Sequence, residues 1–179
     1  KPMAVQMRDA DRMIHAAQRA GRKLGVCFQR RYMPSVIAAK HLIEHGRLGD
    51  IQYVHMSASW TRPHVYFKDR PWRGTWSGEG GGVLINQGVH NLDTLCYLLG
   101  LPRVVKAWVR TQLQPIETED TAHVMLQWDN GAYGSFHAST AEAGPPTRFE
   151  IRGTHGYLVF TDYALEHIAL ESDVRDHLR

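Results

Sequence analysis

The feature that most constrains the fold is a series of segments with period-2 alternation, which begins at Ile51 and continues to about residue 160. Successive side chains of a strand point to opposite faces of a sheet, so this alternation predicts strands. Asn130-Gly131 offers the positive φ values that a tight hairpin turn requires, and GTHG after Arg152 does the same for a later pair. Strands joined by short turns indicate an antiparallel sheet. The predicted strands are IQYVHMSASW, RVVKAWVRTQL, TAHVMLQW, AYGSFHAS, RFEIR and YLVF.

Two helices are predicted to cover one face of this sheet, at about residues 34–45 and 88–99. The other face carries apolar and aromatic side chains among polar ones. Met125 lies there beside His123 on one strand, and Tyr133 and His137 lie there on the next. We therefore expect the open face to dock another subunit, which makes a homo-oligomer.

The first 30 residues have a different pattern. RDADRMIHAAQRAG has helical spacing, with Asp9 as the predicted cap and Gly21 as the predicted end, and LGVCFQ is predicted to follow as a short apolar strand. Together they are typical of the closing helix and strand of a parallel α/β unit whose beginning lies upstream. The predicted class is thus α/β (α+β).

Composition excludes several classes of protein. Among 179 residues 43% are hydrophobic and 22% charged, which is typical of a globular chain. We find no signal peptide and no apolar run long enough for a membrane span, and the basic residues behind the net charge of +3 are scattered, so neither a membrane nor a nucleic-acid partner is expected. Cys27 and Cys96 lack CxxC spacing, which favours a reducing, cytoplasmic location.

The glycine-rich stretch GEGGGVLINQGVHNLD, residues 78–93, does not match a dinucleotide-binding fingerprint. That motif needs glycine at its sixth position, where this chain has Val83, and it follows a strand rather than a loop such as FKDRPWRGTWS. We expect a tightly turned loop and then a helix from about Gln87 to Leu99, ended by Gly100. Its predicted buried stripe is Val89, Leu92, Cys96 and Leu99.

Asn86, His90 and Asp93 share a different stripe of that helix and could point together into a cleft. Structural alternatives remain open for each of them. Asn86 can be the N-cap, Asp93 can favour the helix dipole or pair with an arginine, and His90 can be a satisfied core histidine. No third metal ligand accompanies His90 and Asp93, and no G-x-S-x-G elbow is present, so we expect neither a metal site nor a serine hydrolase.

Several segments resemble the glucose-fructose oxidoreductase and inositol dehydrogenase family, also called Gfo/Idh/MocA. They are the opening Lys1-Pro2, LGVCFQRRY, HLIEHGRLGDI, PWRGTW and GGGVLINQGVHNLDTLCYLLGLP, which together span roughly residues 1–160. The resemblance implies a Rossmann domain that binds NAD or NADP and a domain with a large, mainly antiparallel sheet, with substrate between the two. Residues 1–30 would then be the C-terminal remnant of the dinucleotide-binding domain and residues 31–179 the substrate-binding and oligomerisation domain. The main cofactor site would lie upstream of Lys1, and this chain alone would be inactive.

The resemblance also implies roles for individual residues. His90 matches the family's base, which takes the hydroxyl proton while hydride leaves for the nicotinamide. Lys1 would stabilise the developing alkoxide, and a position near a helix N-terminus would keep His90 neutral. Asn86 departs from the commoner Asp-x-Gly-x-His pattern, in a way that resembles branches acting on sugars and nucleotide sugars.

The remaining site residues follow from the same resemblance. Lys1, Pro2 and Trp72 would contact the cofactor, and Arg73 and Asp93 the substrate, although a buried Trp72 beside a surface Arg73 is an equally good interpretation. The predicted function is hydride transfer between a sugar, polyol or nucleotide-sugar hydroxyl carbon and NAD(P). Two alternatives are an NAD-dependent glycoside hydrolase of the same family and a non-catalytic dimerisation or scaffold protein.

Overall fold

One sheet organises the chain, which a computed structural model describes from residue 1 to residue 179. Its strands are β1 (Ile51–Ser59), β2 (Val104–Arg110), β3 (Thr121–Gln127), β4 (Tyr133–Ser139), β5 (Arg148–Gly153), β6 (Gly156–Thr161) and β7 (Ala164–Ala169). They lie in the order β2-β3-β4-β1-β5-β6-β7. Strand β1 is parallel to β4, and every other neighbouring pair is antiparallel. The predicted large, mainly antiparallel sheet is confirmed.

Six α-helices and one 3-10 turn accompany the sheet. They are α1 (Met7–Arg19), the 3-10 turn (Gln29–Tyr32), α2 (Pro34–Glu44), α3 (His64–Lys68), α4 (Val83–Asn86), α5 (Val89–Leu99) and α6 (Val174–His177). None of these helices combines the length and the apolar character that a bilayer crossing requires.

Alternation along the strands separates a buried face from an open one, as predicted. In β3, Ala122, Val124 and Leu126 are buried while His123 and Met125 are exposed. The buried side chains of neighbouring strands meet α2 and α5 in a single core of 19 residues, in which Phe136 and Leu95 are almost fully enclosed. Burial of each such side chain contributes about 1.5–3 kcal/mol.

Helix α5 buries a different stripe from the one predicted. Its buried residues are Asn91, Thr94, Leu95 and Leu98, whereas the predicted Leu92, Cys96 and Leu99 lie at the margin of the core. Two of these buried residues are polar, and hydrogen bonds satisfy both of them. Asn91 Oδ1 accepts from Arg30 Nη1 at 2.7 Å, and the Thr94 hydroxyl donates to the carbonyl of His90 at 2.8 Å.

The N-terminal segment makes little contact with this core. Helix α1 buries none of its residues, and its N-cap is Gln6 rather than the predicted Asp9. The strand predicted over LGVCFQ is not formed: residues 22–28 have no ladder partner, and the 3-10 turn begins at Gln29. A strand needs a neighbour for its backbone hydrogen bonds, and the sheet ends at β2 and β7 without reaching this segment.

The open face of the sheet carries exposed aromatic and apolar side chains. Trp108, Met125 and Tyr133 are each at least half exposed. Strand β2 lies at an edge of the sheet and is exposed on both faces, so Val105 and Val109 are open to solvent as well. The two faces of the sheet therefore differ as the sequence predicted.

Candidate active site

The glycine-rich loop is held by Glu119, a buried residue just before β3. The backbone N–H groups of Gly82 and Leu84 donate to its carboxylate at 2.9 and 3.1 Å, and that of Val83 donates to its carbonyl at 2.8 Å. A Cβ atom on Gly82 would lie 1.8 Å from the Glu119 carbonyl oxygen, so glycine is needed for this close approach. These N–H groups are thus committed to the carboxylate and the carbonyl of Glu119 and do not form a phosphate cradle.

The loop leads into two short helical segments rather than one helix. Asn86 is the last residue of α4, and Gly88 is the N-cap of α5, so Asn86 does not cap the helix that carries His90. The helix predicted from about Gln87 to Leu99 is present as α5, which begins at Val89, but Asn86 lies before it in a separate helical segment. Because the helix is interrupted, helical spacing does not set the relative direction of the Asn86 and His90 side chains.

His90 lies in the first turn of α5, and its environment favours a neutral imidazole. Burial lowers its pKa below the ordinary value near 6.5, and the positive charges of Arg30 and Lys1 lower it further. The Phe28 ring stands edge-on to the imidazole with centroids 6.4 Å apart. A lowered pKa agrees with the neutral His90 that the sequence predicted, although its largest cause is burial rather than the helix N-terminus. Its Nδ1 atom is buried and finds no hydrogen-bond partner in the chain, so it is a poor candidate for a satisfied core histidine.

A cleft of about 410 Å³ brings together several of the predicted site residues. Lys1, Pro2, Trp72 and Asn86 line it. Lys1 links this cleft to the imidazole, because its charge is one of those that lower the pKa of His90. Its Nζ atom donates to Gln29 Oε1. The volume is in the range of small-molecule sites, and a half-exposed indole beside an ammonium group fits the flat, polar nicotinamide end of a dinucleotide.

Arg73 reaches the same region through Tyr66 on α3. Its guanidinium carbon lies 4.0 Å from the Tyr66 ring centroid, and its Nη1 atom donates to the Tyr66 carbonyl at 2.9 Å. The Tyr66 hydroxyl in turn donates to Asn86 Oδ1 at 3.2 Å. Trp72 is 48% exposed and Arg73 is partly buried, so the alternative of a buried tryptophan beside a surface arginine is wrong.

Asp93 does not line this cleft. Its carboxylate accepts from Arg31 Nε at 2.9 Å and from Arg31 Nη2 at 2.5 Å, which joins the 3-10 turn to α5. This is the arginine pairing that the sequence left open. A contact between Asp93 and substrate stays a prediction.

A second cavity lies between α2, α5 and the start of β5, lined in part by Arg30, Asn91 and Phe149. It is more enclosed than the cleft, but its volume of about 40 Å³ has room for water and not for a sugar. None of the predicted catalytic residues lines it. The cleft beside Asn86 is therefore the better candidate site.

Sequence reasoning missed two residues of the site, Glu79 and Tyr66. Glu79 is buried and hydrogen-bonded to Asn86, and the acid inside the glycine cluster GEGGG was the signal that could have found it. Tyr66 belongs to a five-residue helix that the sequence did not predict, and nothing in its spacing indicates a role.

Comparison with known proteins assigns the chain to a family. The family model described as GFO/IDH/MocA C-terminal domain matches residues 36–159. The chain is 31% identical over 153 residues to scyllo-inositol 2-dehydrogenase (NADP(+)) of Bacillus subtilis, which covers 86% of this chain and 41% of that protein.

Two solved structures extend the likeness to the fold. The WlbA dehydrogenase from Bordetella pertussis, in complex with NADH and UDP-GlcNAcA, is 33% identical with a TM-score of 0.88, over 98% of this chain and 52% of that one. Levoglucosan dehydrogenase, in complex with NADH and levoglucosan, is 27% identical with a TM-score of 0.82, over 98% of this chain and 50% of that one.

The chain thus spans about two fifths to one half of the length of these proteins. The matched residues include most of the sheet, the glycine-rich loop and α5. The chain belongs to the GFO/IDH/MocA family.

Proposed function

We propose that this chain is the substrate-binding part of an NAD(P)-dependent dehydrogenase that oxidises a hydroxyl carbon of a sugar, polyol or nucleotide sugar. The observation that carries the proposal is the environment of His90: a buried ring nitrogen without a partner and a pKa lowered by burial, Arg30 and Lys1. A neutral imidazole beside a cationic group is the combination needed to take a proton from an alcohol and to stabilise the alkoxide.

In this proposal each residue of the site has its own role. His90 accepts the hydroxyl proton, Lys1 stabilises the charge that develops on the oxygen, and Asn86 and Arg73 orient the substrate. Pro2 and Trp72 hold the nicotinamide end of the cofactor, which supplies the hydride acceptor when it is bound. The class of cofactor and substrate is supported by the two solved dehydrogenases named above, whose structures hold NADH with UDP-GlcNAcA or with levoglucosan.

We also propose that residues 1–30 are the last part of a cofactor-binding domain and that residues 31–179 form the substrate domain. Helix α1 buries none of its residues, and Leu24 and Val26 are about two fifths exposed although they are apolar. Such surface is normally covered, and a domain packed against it would supply both a partner strand and the rest of the NAD(P) site.

The test uses the full-length protein with NAD⁺ or NADP⁺ and a panel of sugars, polyols and nucleotide sugars, with nicotinamide reduction followed by absorbance. Turnover should appear with at least one member of the panel, and His90→Gln should lower kcat by about 10²–10⁴-fold. His41→Gln, on the exposed side of α2, is the matched control and should keep full activity. Release of free sugar from a glycoside without net NADH would favour the glycosidase alternative, and unchanged function in His90→Gln would favour a scaffold.

We propose that the open sheet face binds a second copy of the chain. Trp108 is 65% exposed, and β2 presents apolar side chains on both faces of an unpaired edge, which is a surface that proteins normally protect. Light scattering on the purified protein should show an oligomer, and Trp108→Lys should shift it to monomer. Trp76→Lys changes a tryptophan outside the sheet that is 58% exposed and should leave the oligomer intact.

A further inference from the structure

Glu79 is a buried carboxylate whose two oxygens are both engaged beside the candidate site. It is 8% exposed. Its Oε2 atom accepts from the backbone N–H of Gly74 at 2.7 Å, and its Oε1 atom accepts from the Nδ2 group of Asn86. Glu79 therefore joins the glycine-rich loop to the end of α4 and to the turn after Arg73.

This contact fixes the orientation of the Asn86 carboxamide. A carboxylate can only accept hydrogen bonds, so the amide nitrogen of Asn86 must face Glu79 and its oxygen must face the other way. That oxygen accepts from the Tyr66 hydroxyl at 3.2 Å, and the Tyr66 oxygen accepts from Gln87 Nε2 at 3.4 Å. The hydrogen bonds therefore run in one direction. Gln87 donates to Tyr66, Tyr66 donates to Asn86, and Asn86 donates to Glu79.

We propose that Glu79 is a positioning residue that holds Asn86, and through it the Tyr66 hydroxyl, in the geometry that the substrate meets. The pair also explains why residue 86 is Asn. An aspartate there would bring two carboxylates into contact in a buried place, where like charges do not both ionise readily. The carboxylate of this network is supplied by residue 79, and residue 86 must donate to it. The catalytic consequence rests on the proposed dehydrogenase function, whereas the pairing itself does not.

Exchange of the two groups provides a sharp test. In Asn86→Asp two carboxylates face each other. In Glu79→Gln the amide can satisfy Gly74 or Asn86 but not both. In the double variant Glu79→Gln/Asn86→Asp, the introduced amide nitrogen donates to the introduced carboxylate and the amide oxygen accepts from Gly74, so every hydrogen bond is restored with the charge moved to position 86.

The first measurement is the thermal unfolding of the chain itself, which requires no activity. Asn86→Asp should lower Tm by roughly 5 °C at pH 7, and the double variant should return to within about 2 °C of the original chain. Glu117→Gln removes an exposed glutamate that accepts from the Trp76 N–H at 3.1 Å and should change Tm by less than about 2 °C. If the losses of the two single variants simply add in the double variant, the proposed pair is overturned.

The second measurement is turnover by the full-length protein. Glu79→Gln should lower kcat/KM about tenfold, and the exchanged pair should recover most of this loss. Recovery of stability together with unchanged turnover in every variant would overturn the positioning role. If the original full-length protein shows no dehydrogenase activity, the proposed function fails, while the unfolding cycle still decides whether Glu79 and Asn86 act as a pair.

Discussion

Arg31 and Asp93 form a two-pronged ion pair that ties the 3-10 turn to the middle of α5. The Asp93 side chain is 8% exposed and that of Arg31 is 43% exposed. Hydrogen bonding to Asp93 is also the main reason that the pKa of Arg31 is raised. Asp93 lies three residues after His90 in α5, so its pairing with Arg31 holds in place the helix that carries the proposed base.

Removal of one partner should therefore destabilise the chain. We expect Asp93→Asn to lower the free energy of unfolding by about 2 kcal/mol, less than a fully buried pair would lose, because solvent reaches Arg31. Urea denaturation measures this change. Glu44→Gln breaks the exposed pair with Lys40 and is expected to cost less than about 0.5 kcal/mol. Equal losses in the two variants would contradict the role given to Asp93.

The lowered pKa of His90 predicts where activity declines in acid. A base must be unprotonated, and burial, Arg30 and Lys1 keep this imidazole neutral to a lower pH than an ordinary histidine. The acidic limb of kcat/KM for the full-length protein should thus lie below pH 6.5 or so. Arg30→Met removes one of the charges and should move that limb upward. An unmoved limb would show that another group sets it.

Asp120 should be a main contributor to acid sensitivity. Burial alone would raise its pKa, but the N–H groups of Gln114, Leu113 and Gln112 and the Thr121 hydroxyl together lower it. A lowered pKa means that the stabilisation is present above the unfolded value near 3.9 and is lost as pH falls toward the folded value. Asp120→Asn should cost about 2–3 kcal/mol at pH 7 and flatten the decline in acid.

The control for Asp120 is an aspartate without buried contacts. Asp129 pairs loosely with Arg103 at 3.7 Å, and both side chains are mostly exposed. Asp129→Asn should change the free energy of unfolding by less than about 0.5 kcal/mol. If both variants show the same pH profile, the backbone hydrogen bonds to Asp120 do not control acid unfolding.

Gly82 should tolerate no side chain. The Cβ atom of Gly82→Ala would lie 1.8 Å from the Glu119 carbonyl oxygen, so the loop must move away from β3, at a cost of about 3 kcal/mol. Gly25→Ala adds the same methyl group where nothing lies within 4 Å and should be nearly neutral. Chemical denaturation compares the two, and similar values would mean that the loop adapts freely.

Strand positions could be predicted from the sequence because alternation is a local property. Met125 and Tyr133 point to the open face in the structure as their spacing indicates, and the Asn130-Gly131 turn joins β3 to β4. The order of the strands could not be predicted, because β1 pairs with β4 and β5 through contacts that no short stretch of sequence encodes. The prediction of a strand at LGVCFQ was wrong for a related reason. An apolar run of sequence does not show whether another strand lies beside it.

The candidate site was predicted in part. The resemblance led to His90, Lys1 and Asn86. In the structure Lys1 and Asn86 line one cleft, and the charge of Lys1 lowers the pKa of His90, which does not line that cleft. The burial of Glu79 and the pairing of Asp93 with Arg31 could not be predicted, because both depend on how distant segments pack. Helical spacing was also misleading at Gly88, where the chain changes from α4 to α5.

The central position of β1 has a consequence for how the chain reaches its native state. His55 in β1 pairs with Ser135 in β4, 80 residues later, so the middle of the sheet cannot close until this whole intervening segment has been made. Contacts of such long separation require an entropically costly loop before they contribute stability, which slows folding. During synthesis the hydrophobic side chains of β1 stay uncovered until β4 and β5 are available, and exposed apolar surface of this kind is prone to aggregation.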